Sequence, residues 1–130
     1  MQASRKKEKP TSIALVVNQN EIFYRLRMPW IRLLRENGYE VFAVVASGAW
    51  NDLIEAGGAR YVEWKLSRSG RNPLAEVGSI IGLTRILRRI RPDIVQNFHT
   101  KPNIYAPIAA RLAGVPLTVS TVTGLGYTFV

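Results

Sequence analysis

Cysteine is absent from all 130 residues, which removes disulfides, thiolate nucleophiles and sulfur-ligated metals from consideration. Histidine occurs once, at His99; no run has metal-ligand spacing, and the sequence marks out no Ser-His-Asp set. No apolar stretch approaches the roughly 20 residues that cross a bilayer. The opening residues are basic and polar with nothing hydrophobic behind them, and read as neither a span nor a signal peptide. The turn expected after the first strand, Asn18-Gln19-Asn20-Glu21, has no glycine. A dinucleotide fingerprint needs glycines there for the tight turn and for backbone approach to the pyrophosphate, so no NAD or FAD is expected at this turn.

What remains is an ordinary globular composition, 47% hydrophobic and 21% charged, in a chain the size of one domain. The net charge of +9 is unevenly placed. Residues 1–59 hold eight Lys/Arg against six Asp/Glu, and residues 60–130 hold ten against three. A field of that sign favours anionic partners: nucleotide diphosphates, lipid headgroups or nucleic acid. Residues 1–11, with Arg5, Lys6, Lys7 and Lys9, read as a basic flexible tail ahead of a single domain over 12–130.

Within that domain, strands alternate with helices. Residues 12–17 form an unbroken β-branched run, as expected of a strand buried on both faces. Phe23, Leu26, Trp30, Leu33 and Leu34 recur at helical spacing and Asn37-Gly38 closes the run. That helix begins either near Arg27, with Pro29 in its first turn, or near Asn20, with a kink at Pro29. A second strand is expected over 39–46, a short helix over 51–56, and a third strand over 61–66. Asn72-Pro73 is a helix start, and the helix to Arg91 carries Val77, Ile80, Ile81, Thr84 and Leu87 on one side, widened by Leu83, Ile86 and Ile90. A fourth strand (94–98), a helix (104–113) capped by Asn103, and a fifth strand (117–122) complete the series. The fold class is therefore α/β, a Rossmann-like parallel sheet with helices on both faces and expected strand order 3-2-1-4-5.

In such sheets ligands bind beyond the carboxyl ends of the strands, which directs attention to Asn18 and Asn20 after the first strand and to His99, Thr100 and Lys101 after the fourth. Asn18 and Asn20 serve equally well as turn and cap residues, and Lys101 as a solvated lysine. Asp93 lies at the opposite end of the fourth strand, as a strand-start partner. Arg85, Arg88, Arg89 and Arg91 crowd the end of the long helix, where cations favour the helix dipole; a lipid-headgroup patch is a second reading.

Several stretches resemble the N-terminal half of glycosyltransferase family 4, the GT-B transferases of bacterial surface-polysaccharide synthesis. They are Arg32 through Val41, Ser67 through Leu74, Arg91 through Val95, His99-Thr100-Lys101-Pro102-Asn103-Ile104-Tyr105, Ala109 through Pro116, and Thr123-Gly124-Leu125-Gly126-Tyr127. The resemblance implies a truncated acceptor-side half of a GT-B architecture whose partner domain binds the nucleotide sugar. It implies a retaining transfer from a nucleotide sugar to a lipid-linked or polysaccharide acceptor, with no metal and no cofactor beyond the sugar donor as co-substrate. By the same resemblance His99 stands near the donor sugar as the catalytic position, and Asn18, Asn20, Thr100, Lys101, Thr123, Gly124 and Gly126 line the cleft. A cytoplasmic location, peripheral on the inner face of the membrane, goes with a polyprenyl-linked acceptor. Residues 1–130 alone, without the donor-binding domain, are expected to transfer no sugar. The family's paired glutamates belong to that second domain, so Glu55 and Glu63 are assigned no role. Two other readings stand beside this one: a basic nucleic-acid- or membrane-binding module, although no nucleic-acid motif is present, and half of a nucleotide-sugar epimerase, which would carry a Gly-Asp-Thr type loop after the fourth strand.

Overall fold

The computed structural model describes residues 10–17, 20–65, 73–98 and 100–121. Five strands, β1 (Ser12–Val17), β2 (Glu40–Val45), β3 (Arg60–Glu63), β4 (Ile94–Phe98) and β5 (Leu117–Thr121), form one sheet in the order β3-β2-β1-β4-β5. Every pairing is parallel, with Ser12 opposite Glu40, Ile13 opposite Ile94, Phe42 opposite Arg60 and Ile94 opposite Leu117. All five carboxyl ends therefore lie along one edge, and the order reverses between β1 and β4, the topological switch point where open α/β sheets take their ligands. This is the sheet and the order that the alternation of apolar runs predicts.

Four helices cover the faces: α1 (Asn20–Glu36), α2 (Asn51–Ala56), α3 (Pro73–Ile90) and α4 (Thr100–Ala113). The period-two geometry of a strand divides β1 between two cores. Ala14 and Val16 pack with Phe42, Val44, Val95 and the inner residues of α3 and α4. Ile13, Leu15 and Val17 pack with Val41, Val45, Phe23, Ile31 and Ile54, under α1 and α2. In the first core Trp64 is fully buried, donates its indole N–H to the Ser79 carbonyl at 3.0 Å and meets Tyr105 edge to face. One ring thus fastens the chain after β3 to both α3 and α4.

Helix α1 is continuous from Asn20 with Pro29 inside it on an exposed side, so the earlier of the two possible starts holds. Its inward face differs from the apolar pattern. Leu26 and Leu33 are more than half exposed, while Phe23 and Ile31 are fully buried. On α3, likewise, Val77 and Ile81 lie outside and Leu83, Thr84, Ile86 and Leu87 lie inside. Helix α4 begins at Thr100, not at 104, so Asn103 stands within the helix, not at its cap. Pro102 does not prevent this, because the N–H it lacks would have no intrahelical acceptor in a first turn.

Helix ends follow local chemistry. Gly38 has φ +88° and its N–H bonds the Arg35 carbonyl, closing α1 in the left-handed conformation that glycine takes without strain. At the end of α3 the same region is occupied by Arg91, φ +50°, where Pro92 prevents the helix from continuing.

Candidate functional site at the carboxyl edge

Two structures meet at the carboxyl edge near the switch point. The first is a polar clasp around Asn20, which heads α1 just beyond β1. Its amide nitrogen donates to the Ala46 carbonyl at 3.0 Å and to Asn51 Oδ1 at 2.7 Å, and its Oδ1 accepts the Trp50 N–H at 2.9 Å. Asn51 Oδ1 also accepts the Gly48 N–H at 3.2 Å, and its amide donates to Ser47 Oγ at 3.2 Å. The loop between β2 and α2 is thereby sewn to the start of α1. Gly48 is required by this approach, since a Cβ there would sit 2.6 Å from the Asn20 Cβ. Trp50 stacks on Tyr24 with centroids 4.8 Å apart, and Arg25, paired with Glu21 at 2.8 Å, lies over the Trp50 ring. Nearby, burial pushes the Tyr61 phenol above its usual range.

The second is an arginine on an apolar face. Arg27 follows Phe23 by one helical step and precedes Ile31 by another, and only 8% of its surface remains exposed. Its guanidinium carbon lies 3.8 Å from the centre of the Phe98 ring, and Trp30 meets the same ring edge-on at 5.9 Å. Phe98 is the last residue of β4, so a helix following β1 and the end of β4 converge here, across the switch point.

Of the residues singled out from the sequence, Asn20 is placed at this edge, buried, with both amide hydrogens engaged by protein acceptors. What it can offer a ligand is chiefly the shape of the loop it holds. Thr100 and Lys101 fall in the first turn of α4, two and three residues beyond the end of β4; their side chains lie outside the described residues, as do Asn18, His99, Thr123, Gly124 and Gly126. Asp93 is at the amino edge, where its carboxylate accepts the Ser12 N–H at 2.9 Å. Among the described residues no group of three His, Asp or Glu is arranged to hold a metal, and no helix is long and apolar enough to cross a membrane. Arg27 is a residue that sequence inspection passed over. Its signal was available in the spacing: position 27 lies on the line from Phe23 to Ile31, where an apolar residue is the rule.

Residues 12–130 match the family model described as glycosyl transferase 4-like. The chain belongs to that family. A relative in Campylobacter jejuni, N,N'-diacetylbacillosaminyl-diphospho-undecaprenol alpha-1,3-N-acetylgalactosaminyltransferase, is 28% identical over 103 residues, covering 79% of this chain and 27% of the relative. The Escherichia coli UDP-Gal:alpha-D-GlcNAc-diphosphoundecaprenol alpha-1,3-galactosyltransferase is 41% identical over 54 residues, 42% of this chain and 14% of that one. The chain thus spans about a quarter or less of the curated relatives it matches. Among solved structures, MurG of Acinetobacter baumannii superposes with a TM-score of 0.63 at 18% identity, over 85% of this chain and 34% of MurG. The UDP-GlcNAc 2-epimerase of Neisseria meningitidis superposes with a TM-score of 0.59 at 17% identity, over 82% of this chain and 31% of that one. Transferase and epimerase share this half-architecture, so the likeness establishes the fold and not the reaction.

Proposed function

We propose that this chain forms the acceptor-side portion of a retaining glycosyltransferase that moves a sugar from a nucleotide sugar onto a glycan carried by a polyprenyl diphosphate. The observation that carries the reading is the family match over 12–130, joined to two relatives whose names both specify a diphospho-undecaprenol acceptor. The charge distribution supports it, since residues 60–130 hold ten Lys/Arg against three Asp/Glu and the acceptor is a polyanion. In the reaction the bond from the anomeric carbon to the nucleoside diphosphate breaks. A new one forms to an acceptor hydroxyl, whose proton is released. His99 stands beside the donor sugar as the catalytic position, with Asn18, Thr100, Lys101, Thr123, Gly124 and Gly126 lining the cleft and Asn20 holding its wall. No metal or cofactor takes part. The acceptor brings the enzyme to the inner face of the cell membrane. There Leu74, Val77 and Ile81 of α3 and Ile108 and Leu112 of α4, all exposed, rest among Arg85, Arg88 and Arg111 against anionic lipid.

The test is transfer of radiolabelled hexose or N-acetylhexosamine from its UDP form to a short polyprenyl-diphosphate-linked sugar by the full-length enzyme. Label is expected in the lipid-linked product, and His99→Ala is expected to lower the rate by about a hundredfold or more. Release of free sugar isomers with no lipid-linked product would indicate an epimerase and contradict the reading. A polypeptide of residues 1–130 alone is expected to show no turnover, because the charges that stabilise a departing nucleoside diphosphate lie in another domain of this architecture.

A further inference from the structure

The inward face of α1 carries a charge that no carboxylate among the described residues answers. Phe23 and Ile31 are fully buried, and between them Arg27 is more than nine-tenths buried. Its Nε is sealed from solvent without a hydrogen-bond acceptor. Among the described residues its guanidinium has no carboxylate partner: Glu21 is engaged by Arg25 and Glu40 by Arg60. Burial lowers its pKa, as expected for a cation removed from water without a counter-ion, yet an arginine stays charged. The Phe98 ring at 3.8 Å offers a partial counter-charge through its π face. A ring does not replace an acceptor for a sealed N–H, and leaving such a donor unpaired is costly.

If stability were the only demand, an unbranched apolar side chain would serve better at position 27. An arginine that is buried and stacked is instead pre-organised: its plane is held, little rotamer freedom remains to be lost, and its Nε donor lacks an oxygen. Its place is also distinctive. Helix α1 leaves β1, Phe98 ends β4, and these two strands flank the point where the sheet order reverses. The anion suited to a planar guanidinium fork is a carboxylate or a phosphate, and among the ligands drawn to so basic a chain the phosphate is the recurring one.

We propose that Arg27, held on Phe98, binds a diphosphate group of the substrate at the crevice between β1 and β4. The identity of the substrate rests on the transferase reading; the anion site does not. A lipid-linked acceptor and a nucleotide sugar both carry a diphosphate, and the experiment separates them.

Calorimetric titration of the full-length protein with inorganic pyrophosphate, geranyl diphosphate and UDP is compared for the wild type, Arg27→Met and Arg27→Lys. Arg27→Met is expected to weaken pyrophosphate binding about tenfold or more, with no fall in melting temperature. Arg27→Lys, which keeps the charge and loses the fork, is expected to fall between. If Arg27→Met does not fold, Arg27→Lys carries the test: weaker pyrophosphate binding supports the site and unchanged binding overturns it. A loss of geranyl diphosphate affinity in Arg27→Met assigns the site to the acceptor, a loss of UDP affinity assigns it to the donor, and either loss supports a diphosphate site. Wild-type protein that ignores pyrophosphate, or equal affinity in the Met variant, overturns the proposal. Sugar transfer undiminished by Arg27→Met would remove the site and spare the transferase reading. Arg27-dependent pyrophosphate binding by a protein that transfers no sugar would do the opposite.

Discussion

The two edges of the sheet treat charge in opposite ways. At the amino edge Asp93 is answered by Ser12: its carboxylate accepts the Ser12 N–H at 2.9 Å and the Ser12 hydroxyl at 3.4 Å, and its own N–H donates to the Ser12 carbonyl at 3.0 Å. The result is a latch between the first residue of β1 and the residue just before β4. At the carboxyl edge, between the same two strands, Arg27 is buried deeper than Asp93 and has no such partner among the described residues. One edge uses its charge to hold strands together; the other leaves a charge incomplete beside the position where chemistry is expected. A protein under selection for stability alone has no reason to differ between the two.

The largest expected effect lies in the core shared by both edges. Trp64→Ala should cost about 3–5 kcal/mol in denaturant unfolding, because it empties a fully buried site and unties α3 from α4. Next, Asp93→Ala should cost about 1.5–3 kcal/mol by the same measurement, through loss of charge-assisted bonds at the amino edge. Asn20→Ala should cost about 1–3 kcal/mol and loosen the loop between β2 and α2, read as faster amide exchange at Trp50, whose N–H loses its acceptor. Smallest of all, Arg27→Met should shift stability by less than about 1 kcal/mol, since relief of the sealed Nε offsets loss of the contact with Phe98. A large loss at Arg27, comparable to that at Asp93, would erase the contrast.

A pH effect belongs to the shared core. Tyr105 is raised from its usual 10.0 to about 12, chiefly by burial and further by its hydrogen bond to Glu76 and that carboxylate's charge. Folding favours the neutral phenol, so this contribution is complete below pH 10 and is lost as pH rises from about 10 to about 12. Unfolding midpoints measured across that window should fall, and Tyr105→Phe should flatten the slope.

The sheet was legible in the sequence because its strands are short apolar runs separated by turn and cap residues, and a parallel order follows from alternation with helices. Legibility failed on the helices' faces. Leu26, Trp30 and Leu33 form as regular a stripe as Phe23, Arg27 and Ile31, and composition favours the first, yet the second packs on the sheet. Periodicity finds a helix but not its rotation when both stripes are plausible. The start of α4 was misjudged by the habit of reading Asn103 as a cap, when a proline in the first turn permits the helix to begin earlier. At the candidate site, the edge was foreseeable from strand ends. Asn20 reads equally as a ligand contact and as a turn and cap residue, and its amide hydrogens are taken by protein acceptors; Arg27 is easily passed over, despite its place on the line from Phe23 to Ile31, because an arginine is ordinarily counted as surface.

The most direct test of an incomplete charge at the carboxyl edge is the Nε–H resonance of Arg27 in protein labelled with nitrogen-15 at arginine, followed as pyrophosphate is added. A slowly exchanging signal, assigned by its loss in Arg27→Lys, is expected to move downfield and saturate while the Arg25 signal stays in place. A signal indifferent to pyrophosphate, or one that moves no more than that of exposed Arg25, would contradict it.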